Sequence, residues 1–207
     1  MKLSPQTKTS GQIVLLSIEQ ETMRRLKREP EALDWALVLQ KVAQTQPAQV
    51  ISFINPTSIQ GSYDDLTLLA DIMERLPFQF GENDLPKPGV TRLDPLAAPF
   101  ENLRVEPAPK TADRTLLAKD GATRRMILAF EKENTFTMYP RVAMNYNGIT
   151  KLSDYRGTFD FYDSVQLLIH FREKGTYPLI RFIDAIDNPL IAEQLKGKIV
   201  MIGRDTQ

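Results

Sequence analysis

The chain contains no cysteine. That excludes disulfides, thiolate metal sites and cysteine nucleophiles, and it is compatible with an oxidising compartment without requiring one. There is one histidine, His170. A lone histidine inside an apolar run reads first as a structural or edge residue, and a metal site built on it would need a cluster of carboxylates. The pairs Asp64-Asp65, Asp160/Asp163 and Asp184/Asp187 are better read as helix caps and surface residues, so no metal is expected. Net charge is also missing, since Lys+Arg and Asp+Glu both number 26. Nothing marks a polyanion-binding surface, and nucleic acid is a poor candidate partner.

Long apolar runs are absent as well. The run Ile13–Ile18 is far below the roughly 20 residues needed to cross a bilayer. Residues 1–11 are polar and lack the apolar core of a signal peptide. If the protein works outside the cytoplasm, its targeting segment lies outside this sequence. There is no Gly-x-Ser-x-Gly elbow, no phosphate-binding loop and no Gly-x-Gly-x-x-Gly after the first strand. These absences make an enzyme the weaker hypothesis, and no cofactor is expected.

What is present is a pattern of buried strands and amphipathic helices. Ile13–Ile18 and Ile199-Val200-Met201-Ile202 are uninterrupted or nearly uninterrupted apolar runs, too short for lone helices, and they predict strands buried on both faces. Gly197 and Gly203 bracket the second run. Gly197 is expected to close a helix and Gly203 to let the backbone turn sharply as it leaves the sheet. A buried strand four residues from the last residue predicts that the chain is cut from a longer polypeptide. Trp35, Val38, Leu39 and Val42 recur at helical spacing. Val50-Ile51-Ser52-Phe53-Ile54 predicts a second strand, ended by Asn55-Pro56. A helix through Leu69, Ile72, Met73 and Leu76 follows, capped by Ser62 or Asp64. Phe78-Gln79-Phe80 predicts a third strand. Strand–helix–strand–helix–strand at this spacing marks a parallel sheet of right-handed crossovers.

Six prolines between 83 and 109 forbid a helix there and predict a long loop, pinned to the core by Leu93, Leu96, Phe100, Leu103 and Val105. Lys119-Asp120-Gly121-Ala122 between two apolar runs predicts a hairpin. A helix is expected from Tyr139 to Tyr146, closed by Asn147-Gly148. A strand is expected over 165–171, another near Leu179, and two short helices before the last strand. The expected fold is α/β: a mixed, mainly parallel central sheet with helices on both faces and an antiparallel hairpin extension. Residues 12–207 form one domain behind a flexible leader, 1–11.

Open α/β sheets hold ligands at the carboxyl ends of their strands. Glu19 and Asn55 end the first two strands, and Arg204 joins them if the last strand runs parallel. For Glu19 and Asn55, capping and turn formation are an equally good account. Arg124 and Arg125 follow the expected hairpin turn, and a solvated edge is their plainer reading.

Taken together, certain segments resemble a known family. These are Ile18-Glu19, the Trp35 helix, Ile54-Asn55-Pro56, Asp64-Asp65-Leu66, Asp120-Gly121-x-x-Arg124-Arg125 and Leu195-Lys196-Gly197-Lys198-Ile199-Val200-Met201-Ile202-Gly203. The family is the extracytoplasmic sensor called the CHASE domain, type two, and the resemblance begins at about Gln12. Where the family commonly shows aspartate after the first and second strands, this chain has Glu19 and Asn55. The resemblance implies a non-catalytic sensory domain, in the periplasm or outside the cell, of a transmembrane receptor. Its cytoplasmic output would be a diguanylate cyclase, an adenylate cyclase or a kinase. The implied partners are a small-molecule or protein stimulus, flanking membrane helices of the same chain and a second copy in a homodimer. Glu19, Asn55, Arg124, Arg125 and Arg204 are the expected ligand contacts, with Gly203 as an output hinge. Two alternatives stand beside this reading. One is a protein-interaction module docking through the proline-rich segment. The other is a soluble α/β hydrolase using Ser17 or strand-end carboxylates.

Overall fold

The structure is a computed structural model. It describes residues 11–82, 95–107, 125–130, 135–149, 151–161, 163–169, 175–188 and 191–205. The described residues form two sheets. The larger contains β1 (Ile13–Ile18), β2 (Gln49–Ser52), β3 (Phe78–Glu82), β4 (Val105–Pro107), β9 (Leu179–Arg181) and β10 (Ile199–Arg204). Their spatial order is β4-β3-β2-β10-β1-β9, and every pairing is parallel. The last strand therefore lies in the middle of the sheet, in register from Ile13↔Ile199 to Ile18↔Arg204.

Helices connect these strands: α1 (Gln20–Leu26) and α2 (Ala32–Gln44) between β1 and β2, α3 (Tyr63–Arg75) between β2 and β3, and α5 (Phe182–Asp187) and α6 (Ile191–Leu195) between β9 and β10. Each of these crossovers steps toward the β4 edge. Because such crossovers are right-handed, steps in one direction put their helices on one face. The packing agrees. Val14, Leu16, Ile18, Val50, Val200 and Ile202 share one core with Trp35, Val38, Leu69, Met73, Phe182 and Leu195. The alternate strand positions face the other way, where α4 (Met138–Asn147) lies. There Ile51 and Ile199 pack on Met138 and Val142. Helices thus cover both faces, as expected.

At the crowded end of the helical face, the N–H of Ala32 donates to Gln60 O at 2.8 Å. Gly61 makes this approach possible, since a Cβ built there would lie 2.7 Å from the Cβ of Ala32. Ala32 is fully buried at the start of α2 and cannot give way. Gly61→Ala is expected to cost about 1–3 kcal/mol, the range for overpacking a rigid site. Thermal unfolding measures it, and adding Ala32→Gly should recover part of the loss.

The second sheet is antiparallel, in the order β6-β5-β8-β7. It comprises β5 (Arg125–Phe130), β6 (Thr135–Phe136), β7 (Thr158–Phe161) and β8 (Ser164–Leu168). The expected antiparallel extension is present. Described strand β5 pairs with β8 and β6, so the extension is a sheet in its own right. The other arm of the expected hairpin and the Asp120-Gly121 turn lie outside the described residues, as does His170. The helix α4 joins the two sheets. Its N-cap residue Thr137 donates from its hydroxyl to Ile127 O at 2.9 Å, and its backbone N–H donates to Leu128 O at 2.9 Å. The Gly148 that follows α4 is left-handed at φ 67°, where a residue without a Cβ is favoured.

Two differences concern the ends of segments. The second strand stops at Ser52; the Phe53 N–H still donates to Ile202 O of β10 at 2.9 Å, and the Ile54 N–H turns back to Ser52 Oγ at 3.1 Å. In the proline-rich stretch, Phe100 and Leu103 are buried, as expected of a pinned loop. It ends, however, in strand β4. That strand forms the sheet edge, where the missing N–H of Pro107 is tolerated.

Candidate functional site

Because β1, β2 and β10 are parallel, their carboxyl ends share one edge of the sheet. This is the arrangement that brings Arg204 to the Asn55 loop. At that edge Phe53, Ile54, Asn55, Ser58, Gly203 and Arg204 line a cleft of about 480 Å³. The structure thus brings together three of the residues expected from the sequence: Asn55, Gly203 and Arg204.

Each has a local reason for its position. Asn55 ends the loop after β2, and its Oδ1 accepts from the Thr57 N–H at 3.0 Å and the Thr57 hydroxyl at 2.8 Å. The turn-forming account of Asn55 therefore holds. Arg204 pairs with Glu29 at 3.1 Å, and both side chains are half exposed. Such a pair adds little stability. Gly203 is not the sharp turn that the sequence suggested. Strand β10 runs through it to Arg204, in register with Ser17, its φ is not left-handed, and a Cβ there would meet nothing within 4 Å.

The remaining expected residues lie elsewhere. Glu19 precedes α1 and makes no side-chain cap bond. Its charge acts toward β9. The Arg181 guanidinium there is held more firmly protonated, first by its hydrogen bond to Asp184, then by the Asp184, Glu19 and Glu21 charges. Arg125 sits in the antiparallel sheet, its guanidinium 4.5 Å above the centre of the Phe161 ring. Arg124 lies outside the described residues. Ser17 is buried within β1, and no group of three or more metal-ligating side chains occurs among the described residues.

The sheet also has a polar layer that sequence reasoning missed. Under α4, Glu106 of β4 is buried, with 4% of its side chain exposed, and it binds Arg104 and Arg141. The Arg141 Nε lies 2.8 Å from Glu106 Oε2. Gln49 and Gln79, in β2 and β3, are each 4% exposed on the same face. The signal was there to find. A glutamine inside Phe78-Gln79-Phe80 breaks the apolar run expected of a strand buried on both faces.

A family model for the CHASE2 domain matches residues 1–207, the whole chain. The chain belongs to the CHASE2 domain family. CHASE2 domains are extracytoplasmic sensor domains, so this one has a sensory role and is not a catalyst in itself. Searches of curated proteins and of solved structures return no match to the chain. Among the described residues no helix of this CHASE2 domain is long and apolar enough to cross a membrane.

Proposed function

We propose that this CHASE2 domain is the periplasmic or extracellular sensing part of a transmembrane signalling receptor. Its stimulus is a small molecule or a protein. Membrane helices of the same polypeptide flank it, a second copy pairs with it, and a cyclase or kinase elsewhere in the chain provides the output. The observation that carries this reading is the family match over the whole chain.

The strand-end cleft supports a route for the signal. Its wall includes Gly203 and Arg204, the end of the central strand. A stimulus that binds one arrangement of the Asn55 loop and this strand end more tightly than another shifts the balance between them. Moving that balance from 1:99 to 99:1 takes roughly a 10⁴-fold preference.

The absence of cysteine from the domain gives a clean test. In the full-length polypeptide, Tyr63→Cys places one thiol on an exposed face, since Tyr63 is 69% exposed. A membrane-impermeant maleimide should label it in intact cells. Labelling that requires permeabilised cells would sink the reading. In the same receptor, Gly203→Val should change basal or stimulated output while labelling persists. Unchanged output would show that the signal does not leave through Gly203.

A further inference from the structure

Gly203 lies inside β10, where a glycine weakens the strand. Such a glycine marks a bulge, a sharp or left-handed turn, or the close approach of another backbone or a ligand. The pairing with β1 runs through Ser17↔Gly203 to Ile18↔Arg204 without a shift, so there is no bulge. The φ of Gly203 is not left-handed, and a Cβ built there meets no described atom within 4 Å. The reason left standing is a ligand. The space beside Gly203 is open to one, because this residue forms part of the wall of the strand-end cleft. A cleft of about 480 Å³ suits a small molecule.

The neighbours of Gly203 define what fits. The Phe53 N–H donates to Ile202 O at 2.9 Å, which continues the β2–β10 register by one step and sets Phe53 beside Gly203. Alternation puts both on the face that carries Ile51 and Ile199. There the Phe53 ring lies 6.3 Å from that of Tyr139 on α4, tilted by 31°, and Phe53 stays 41% exposed. A bare peptide beside an exposed aromatic ring is a platform for another flat ring. The polar side chains of the wall bring donors. Asn55 has its Oδ1 occupied by Thr57, so its amide has N–H groups to offer. Arg204 is the one charged side chain among the lining residues. It pairs with Glu29 at 3.1 Å, both half exposed, and such a pair is weak enough for another anion to compete.

We propose that the strand-end cleft binds a small aromatic carboxylate. Its ring lies over the Gly203 peptide beside Phe53, and its carboxylate accepts from Arg204 and Asn55. This names a ligand for the cleft already given a part in signalling, and it rests on that reading for the ligand's role as stimulus. The two are tested apart, because binding is measured on the 207-residue chain alone. No binding, with surface labelling of Tyr63→Cys intact, overturns the ligand and leaves the receptor; binding without surface labelling does the reverse.

Calorimetric titration with benzoate, phenylacetate and indole-3-acetate is the measurement, beside acetate and the primary amide of each. At least one of the three ring carboxylates should bind with a Kd below about 1 mM. Acetate has no ring and the matching amide has no charge, and each should bind at least about tenfold more weakly. Gly203→Ala should keep the melting temperature or raise it, since its methyl meets no described atom within 4 Å and alanine loses less freedom on folding. It should still weaken binding by about tenfold or more, because the methyl stands where the ring lies. Arg204→Gln should weaken binding by about tenfold. Glu29→Gln should tighten it about two- to fivefold, the worth of an exposed ion pair, an effect that damage to the fold does not produce. Should Gly203→Ala fail to fold, the half-exposed Arg204→Gln and Glu29→Gln carry the test. The assignment is overturned if no ring carboxylate binds below about 1 mM, or if acetate or the amide binds as tightly. Affinity that survives Gly203→Ala or Arg204→Gln, or that fails to rise with Glu29→Gln, overturns it equally.

Discussion

Trp35→Ala is expected to lower the stability of the domain by about 3–5 kcal/mol, the range for removing a large aromatic from a packed core. Trp35 is 2% exposed and meets Phe182, itself fully buried, edge to face at 5.0 Å and 61°. The contact ties α2 to α5, and so ties the β1-to-β2 crossover to the β9-to-β10 crossover. Alanine removes the ring and leaves a cavity that these two helices cannot close without moving. Domains have only about 5–15 kcal/mol in hand, so the loss is a large share of the whole. For a chain of this size the melting midpoint should fall by roughly 10 °C. Circular dichroism is the right measurement, because Trp35 is the only tryptophan and its fluorescence leaves with it. A fall of less than about 3 °C would mean that the helices collapse onto the gap. In a cycle with Phe182→Leu, the coupling should reach about 0.5–1.5 kcal/mol, the aromatic pair's share beyond simple burial.

Glu106→Ala is expected to cost about 3 kcal/mol, the lower end of the range for breaking a buried ion pair. The lower end applies because Arg104 and Arg141 keep 49% and 28% of their side chains exposed and recover part of their hydration. Glu106 itself has 4% exposed, so its carboxylate is the group that depends on the pair. The informative comparison is the double change Glu106→Leu with Arg141→Met. Replacing both partners with apolar groups of similar size is often neutral or stabilising, so the double variant should unfold at higher urea than Glu106→Ala alone. If the two unfold together, the penalty lies in packing around β4 rather than in an unpaired charge.

The parts of this fold that were legible in the sequence are those with a local signature. The apolar runs of β1 and β10, the 3.6-residue stripe around Trp35 and the Ser62 start of α3 depend on neighbours within a few residues. The strand-end edge was legible too, because parallel strands bring their carboxyl ends together whatever their order. Three features were not. Nothing local distinguishes Gly203 inside a strand from Gly203 at a turn, since glycine serves both. Strands β6 and β7 are short, and their pairing with β5 and β8 is set by partners far along the chain. The polar layer under α4 was hidden for the same reason. Gln49 finds its hydrogen-bond acceptor on Val142, 93 residues away, and Glu106 finds Arg141 on the same helix. Hydrophobic periodicity places a strand but is silent about what covers it.

The central position of β10 has a consequence for the order of events during folding. Strands β1 and β2 are made first, yet among the described residues they pair with each other nowhere, because both pair with β10. The two halves of the sheet are joined when residues 199–204 slot between them. Until that segment has been synthesised, the inner edges of β1 and β2 each present unpaired backbone to any strand that comes near. Closure depends on contacts spanning nearly the whole chain, the kind that slows folding most. The last strand is thus the keystone of the assembly, and the nascent domain is at its most vulnerable to misassociation until that strand is in place.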